Sequence, residues 1–402
     1  MSDAAIASRF TIPGQPVVAA AALAGFAALA LAIGQVAPPH VLVLFGIGGL
    51  LGIALYHASF GFTSAYRLFL ADRRGAGLRA QLVMLALATV LFFPALAAGS
   101  LFGHPVTGNV APVGVAVAVG AFLFGVGMQL GGGCASGTLY AVGGGATRMV
   151  VTLAFFIVGS VAGVAQIEWW QALPALPAIS LVSRFGWPAA LAGNLVVFGA
   201  LFLLVRALER RRHGSVAAIG GALSARAILR GPWPIVVGAV ALALLNFATL
   251  FTAGRPWGIT SAFGLWGVKL LGSAGLDVSQ WGAWAEPANQ AALARPVLGD
   301  VTSVMDFGIM LGALLAAALA GRFAPARLVP GRLLLGSVAG GLLMGYGARL
   351  AYGCNIGAYF SGVASGSLHG WLWIASAIAG SALGLRLRPA FGMAQPPPAS
   401  SC

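Results

Sequence analysis

The sequence predicts an all-α polytopic membrane protein, an inverted repeat of two five-helix halves with four short re-entrant segments. Three observations carry this expectation. The 402-residue chain is 59% hydrophobic and only 7% charged, with a mean hydropathy of +0.95, more apolar sequence than a soluble core can hide. About ten segments approach the roughly 20 apolar residues that a crossing helix needs. Two glycine-containing motifs, one of them centred on a cysteine, recur in the same order in both halves.

In chain order, crossings are expected near 17–36, 41–56, 80–98, 111–130, 149–166, 187–205, 233–253, 306–321, 331–348 and 371–386. The first run, PVVAAAALAGFAALALAIGQV from Pro16, is long enough to span and leads into more apolar sequence, which argues against a cleaved signal peptide. Four stretches, 57–66, 131–147, 257–271 and 351–368, are too short or too broken by glycine to cross and are read as entering and leaving on one side. Basic residues cluster at Arg67, Arg73, Arg74 and Arg79, from Arg206 through Arg230, at Arg322, Arg327 and Arg332, and at Arg386 and Arg388. Basic loops stay in the cytoplasm, and this arrangement puts every cluster there together with both termini. The segments 167–186 and 272–305, with Glu168, Asp277, Glu286 and Asp300, then face outward. The expected division is an N-terminal cytoplasmic segment (1–16), a first repeat (17–186), a second repeat (187–390) and a disordered Pro-rich tail (391–402) that includes Cys402. The expected location is a bacterial inner membrane.

Several function classes are excluded. The net charge of +14 is spread between apolar runs, with no aromatic-interleaved basic domain to bind nucleic acid. Three cysteines cannot form a disulfide framework. His57, His104 and His369 lack metal-site spacing. GVGMQLGGG lacks the Lys-Ser/Thr ending of a phosphate-binding loop, so neither an enzyme nor a cofactor is expected.

The repeat is visible by eye. FGVGMQLGGGCASGTLY from Phe124 aligns without a gap on MGYGARLAYGCNIGAYF from Met344, pairing Gly125, Gly127, Gly133, Cys134 and Gly137 with Gly345, Gly347, Gly353, Cys354 and Gly357. FGFTSAYR from Phe60 matches WGITSAFG from Trp257, pairing Thr63 and Ser64 with Thr260 and Ser261. Five crossings per half is an odd number, so the second copy sits upside down. In such proteins the broken segments of the two halves meet near the membrane midplane at the binding site.

These motifs, GVGMQLGGGCASG, GYGARLAYGCNIG, GFTSAYR and PWGITSAFGLWG, resemble the YeeE/YedE family of sulphur-transport membrane proteins, including its SoxT-like members, over roughly residues 40–390. The resemblance implies an inverted-repeat, hourglass-like helical protein that imports thiosulfate or a related sulphur-containing anion. It also implies that Cys134 and Cys354 pass the anion along a narrow central path by S–H contacts. The family's thiosulfate importers carry a further cysteine in an earlier short segment, where this chain offers Thr63, Ser64, Thr260 and Ser261. A cytoplasmic sulphur carrier that consumes the cargo would be a partner.

The residue chemistry suits such a role. A neutral thiol is a weak donor with a polarizable sulphur, able to solvate a soft anion without gripping it, and passage requires weak, multi-site binding. Gly133 and Gly353 permit close approach, and short helices starting at mid-depth add N-terminal dipoles. Thr63, Ser64, Thr260 and Ser261 are hydroxyl donors for the path or for helix packing. Arg349 and Arg148 attract an anion at opposite mouths or snorkel to the interface. Gln129 holds the repeat position of Arg349, and Lys269 is a weaker candidate for the outer mouth. Asp306 is the acidic residue nearest the membrane interior, a proton carrier or a helix N-terminal carboxylate. Two other readings of the whole stand beside import: a membrane sensor or assembly partner for a sulphur species, and a channel for another small anion.

Overall fold

In the computed structural model the described residues are 14–285, 287–326 and 328–393. Outside them fall Glu286, Arg327, Cys402 and the expectations for most of the N-terminal segment and the Pro-rich tail. Pro16 and Pro39 open α1 (Pro16–Val36) and α2 (Pro39–His57), where a missing N–H removes no intrahelical bond. Long apolar helices follow as α4 (Ala76–Ala98), α5 (Val115–Gly131), α7 (Thr147–Ala165), α8 (Trp187–His213), α9 (Ile235–Ala253), α11 (Val301–Ala320), α12 (Gly331–Leu350) and α14 (Leu368–Leu387). Among the described residues, 10 helices are long and apolar enough to cross a membrane. Between them lie the short helices α3 (Phe62–Asp72), α6 (Ala135–Gly143) and α10 (Thr260–Ser273), and α13 (Asn355–Ser361), a π-helix continued by the turn Gly362–Ala364.

The differences from expectation have local causes. Helix α8 runs on to His213 because its basic end is built of strong helix formers whose positive charges complement the C-terminal dipole. Helix α4 starts at Ala76, with Arg79 buried against Glu209 of α8 at 2.9 Å. Helix α11 starts at Val301 because Asp300 caps it, accepting from the Ser303 backbone N–H at 2.8 Å and from its hydroxyl at 2.7 Å. The helix-terminal carboxylate is therefore Asp300, and Asp306 lies a turn and a half inside. Two-residue strands pair Ser100–Leu101 with His104–Pro105 and Val113–Gly114 with Ala175–Leu176, which apolar periodicity does not anticipate.

Hydrogen bonds define two faces. On one, the Thr107 N–H donates to the Gly254 carbonyl at 2.8 Å, the Leu181 N–H to Gly366 at 2.7 Å and the Asn109 N–H to the Ser365 hydroxyl at 2.9 Å. On the other, Arg79 meets Glu209, Thr147 donates to the Ala326 carbonyl at 2.9 Å and Arg148 to the Ser337 hydroxyl at 2.8 Å.

The helix packing interleaves the halves: α2 lies on α11, α4 on α9, α5 on α14, α7 on α12, and α5 on α12. The last pair crosses antiparallel on glycine, Gly120 against Gly347 and Gly127 against Gly340, where an added Cβ would strike the opposing backbone. The main core gathers side chains from both halves and includes both thiols.

Candidate functional site

The two glycine-cysteine loops build related turns, each with a left-handed residue two positions before the cysteine and the cysteine as the N-cap of a short helix. Helix α5 ends at Gly132 with φ +91°, and Cys134 follows in extended backbone (φ −80°, ψ −169°) as the N-cap of α6. After α12, Tyr352 has φ +55° and Gly353 φ +138°. Cys354 (φ −111°, ψ −167°) then caps α13. The Gly353 conformation is open to glycine alone without strain, and Tyr352 holds one that costs a non-glycine residue free energy. Cys134 and Cys354 are 1% and 0% exposed, so neither sulphur faces lipid. Both are free thiols and lie within electrostatic reach of each other. The Cys134 sulphur is 3.4 Å from the Ser136 hydroxyl, and Cys354 accepts from the Ile356 N–H at 3.4 Å.

Aromatic side chains bridge the loops. Asn355 donates to the Tyr66 hydroxyl at 3.2 Å, and Tyr66 stands within electrostatic reach of Cys134. Tyr359 meets Phe62 edge-on with ring centroids 6.3 Å apart and stacks on Trp373 at 6.4 Å. The Trp373 indole donates to the Gly353 carbonyl at 3.2 Å.

A vestibule of about 340 Å³ opens on the second loop, lined by Asn109, Arg255, Thr260, Ser261, Tyr352, Gly353 and Gly357. Asn109 donates to the Gly357 carbonyl at 2.7 Å. Arg255 and Ser261 both donate to the Thr302 hydroxyl at 3.1 Å. Arg255 is exposed and forms no salt bridge among the described residues, so its charge is offered to whatever enters.

The other expected residues are placed as follows. Thr63 is buried with its hydroxyl beside the Cys134 thiol, and its carbonyl accepts from Gln129 at 3.2 Å. Gln129 is fully buried and its Oε1 has no partner. Ser64 turns back to the Gly61 carbonyl at 3.0 Å, next to the Tyr140 hydroxyl. Gly133 backs onto the first turn of α6, as Gly353 does onto α13. Arg349 does not snorkel: its stem packs on Gly163 and its guanidinium on Gly264. Its Nε and Nη2 are buried without a hydrogen-bond partner, within electrostatic reach of Cys354.

Two expected anion attractors are committed elsewhere. Arg148 donates to the Leu130 carbonyl at 2.5 Å and so caps the end of α5. Lys269 is held by the carbonyls of Leu293 at 2.6 Å and Arg295 at 2.7 Å. Sequence reasoning missed Asn109 and Arg255. Arg255 directly precedes the PWGITSAFGLWG motif, its one sequence signal, whereas Asn109 lies in a loop without any.

Among the described residues, ten helices apolar enough to cross a membrane and a solute-sized vestibule lined in part by Tyr352, Gly353 and Gly357 of the second glycine-cysteine turn define a multi-pass membrane protein of the transporter class. Comparison with known proteins bears this out. The family description "sulphur transport" matches residues 57–383. The chain is 30% identical to the thiosulfate transporter TsuA of Spirochaeta thermophila over 340 residues, covering 81% of this chain and 92% of that one. It is 25% identical to TsuA of Escherichia coli over 359 residues, covering 84% and 92%. It is also 34% identical to the probable transporter YedE of Salmonella typhimurium over 156 residues, covering 39% of this chain and 37% of that one. The chain belongs to the YeeE/YedE sulphur-transport family and is a transporter, not an enzyme.

Proposed function

We propose that the protein is a permease that carries thiosulfate or a related sulphur-containing anion inward across a bacterial inner membrane. Cys134 and Cys354 are the stations of its narrow path. The observation that carries this reading is the pair of buried, free thiols at matched repeat positions, the second of them next to Gly353 in the wall of a vestibule that also holds Arg255, which forms no salt bridge among the described residues. The names of the relatives support the cargo. Arg255, Thr260 and Ser261 receive the anion. Arg349 supplies buried positive charge beside Cys354, and Thr63, Ser64 and Gln129 line the exit beyond Cys134. Thiols that donate weakly let the anion move on.

An inverted repeat is part of the proposal. Its support is the antiparallel pairing of Gly120 with Gly347 and Gly127 with Gly340, which exchanges one half for the other. The reciprocal contacts of α5 with α14 and of α12 with α7 add to it. The arginine-rich face is then cytoplasmic, as are both termini, and the vestibule opens outward.

Uptake of radiolabelled thiosulfate into proteoliposomes tests the reading. Cys134→Ala and Cys354→Ala should each slow uptake about tenfold, the equivalent of one lost hydrogen bond to a charged group. Unchanged uptake in both variants would remove the thiols from the mechanism, and no uptake by the native protein would remove the cargo.

A further inference from the structure

We propose that transport is coupled to a proton carried on Asp306, an inference that rests on the permease reading and adds its energy source. Asp306 is fully buried in α11, and neither carboxylate oxygen has a hydrogen-bond partner among the described residues. An ionised carboxylate stripped of water and partners is strongly disfavoured. Natural membrane helices hold such a residue where it does work.

Its position gives it that work. Thr302, four residues earlier and so on the same face about 6 Å toward the helix start, accepts hydrogen bonds from the vestibule residues Ser261 and Arg255. In the other direction Asp306 lies within electrostatic reach of the Cys354 thiol. Asp306 thus stands one helical turn from the residue that the vestibule's Ser261 and Arg255 contact, and within electrostatic reach of the second thiol. Arg349 stands within reach of the same thiol and forms no ion pair with Asp306 or any other acid among the described residues. Cys354 is therefore within electrostatic reach of a cation and of an acid, neither of which forms an ion pair among the described residues. An ionised Asp306 would repel an arriving anion, and a protonated one would not.

The neighbouring elements leave Asp306 little competition. Asp300 acts on it electrostatically but is fixed as the helix cap. Helix α1 brings no ionisable group. Helix α2 brings His40, Tyr56 and His57 at its two ends, and the helix Ala225–Arg230 brings Arg226 and Arg230 on the arginine-rich side. Tyr140 of α6 meets Gly61 and Ser64, and Lys269 of α10 is held by carbonyls. The carboxyl takes its proton from water of the outer vestibule and yields it to water on the cytoplasmic side. One proton thus enters with each anion.

The test uses proteoliposomes with the membrane voltage clamped at zero. With the outside one pH unit more acid, one-to-one coupling drives the native protein to accumulate thiosulfate about tenfold. Asp306→Asn, a permanent mimic of the neutral acid, should lose accumulation and keep exchange of labelled for unlabelled thiosulfate. Accumulation by the native protein that ignores the pH gradient would overturn the proposal, as would native-like accumulation by Asp306→Asn. Should that variant lose exchange as well, a trapped pH dye in native vesicles decides. Acidification of the lumen on adding thiosulfate upholds coupling, and a constant lumen pH overturns it. Failure of native exchange would instead sink the permease reading itself.

Discussion

The Tyr66 hydroxyl and the Asn355 amide meet at 3.2 Å in the buried centre of the molecule, joining the short helix of one half to the thiol turn of the other. The donor is Asn355 Nδ2, and Asn355 Oδ1 has no hydrogen-bond partner, so the pair rests on this one bond. Tyr66→Phe should cost about 1 kcal/mol of stability and loosen the turn that presents Cys354. Thermal unfolding in detergent, read beside uptake, checks it: both should fall together, and an unmoved midpoint would show that the bond holds nothing.

Arg255 should act on capture. A charge at the mouth of a cleft speeds arrival of an opposite charge, and salt screens the effect. Arg255→Gln is expected to raise KM for thiosulfate at low ionic strength by about tenfold while leaving the maximal rate near native. At high salt the two proteins should converge.

Arg349 should act on binding at depth. A hydrogen bond to a charged group contributes about 1.5–3 kcal/mol, so Arg349→Gln should weaken thiosulfate binding roughly 10- to 150-fold. Because the residue is buried, raising salt should not mask the loss, which separates it from Arg255. Equilibrium binding to the purified protein at two salt concentrations makes the comparison.

Glu209 tests the scaffold. It lies fully buried against Arg79 at 2.9 Å, and its other oxygen accepts from the Ala217 N–H at 3.3 Å. Removing one partner of a buried pair strands the other charge, at a cost of about 3–5 kcal/mol. Glu209→Ala should lower the unfolding midpoint sharply. Arg79→Met with Glu209→Leu should recover much of the loss, which is the diagnostic result.

The crossings were legible because lipid demands long apolar helices, and hydropathy reports that demand directly. The glycine-cysteine turns were legible because a chain that repeats itself shows its own alignment. What the sequence hid were relations between distant residues. Arg79 reads as one more member of a cytoplasmic basic cluster because its partner lies 130 positions away. Asp306 was read as a helix start because Asp300 lies in weakly apolar sequence, and only the Ser303 contacts mark it as the cap. Arg148 and Arg349 look equivalent in the sequence, yet one is held by the Leu130 carbonyl and the Ser337 hydroxyl and the other buries its Nε and Nη2 without hydrogen-bond partners. Asn109 belongs to the vestibule only because its loop folds onto Gly357.

The crossing at Gly120 and Gly347 bears on how the molecule can move. There the two central helices touch main chain to main chain, without a compliant layer of side chains between them. Such a contact has one good registration, and sliding it by a fraction of a turn drives a neighbouring methyl or isobutyl group into a carbonyl. The keel so formed must stay fixed through the working cycle. Opening and closing then belong to the four short helices at its flanks, and distances measured across the keel should be the same with and without cargo.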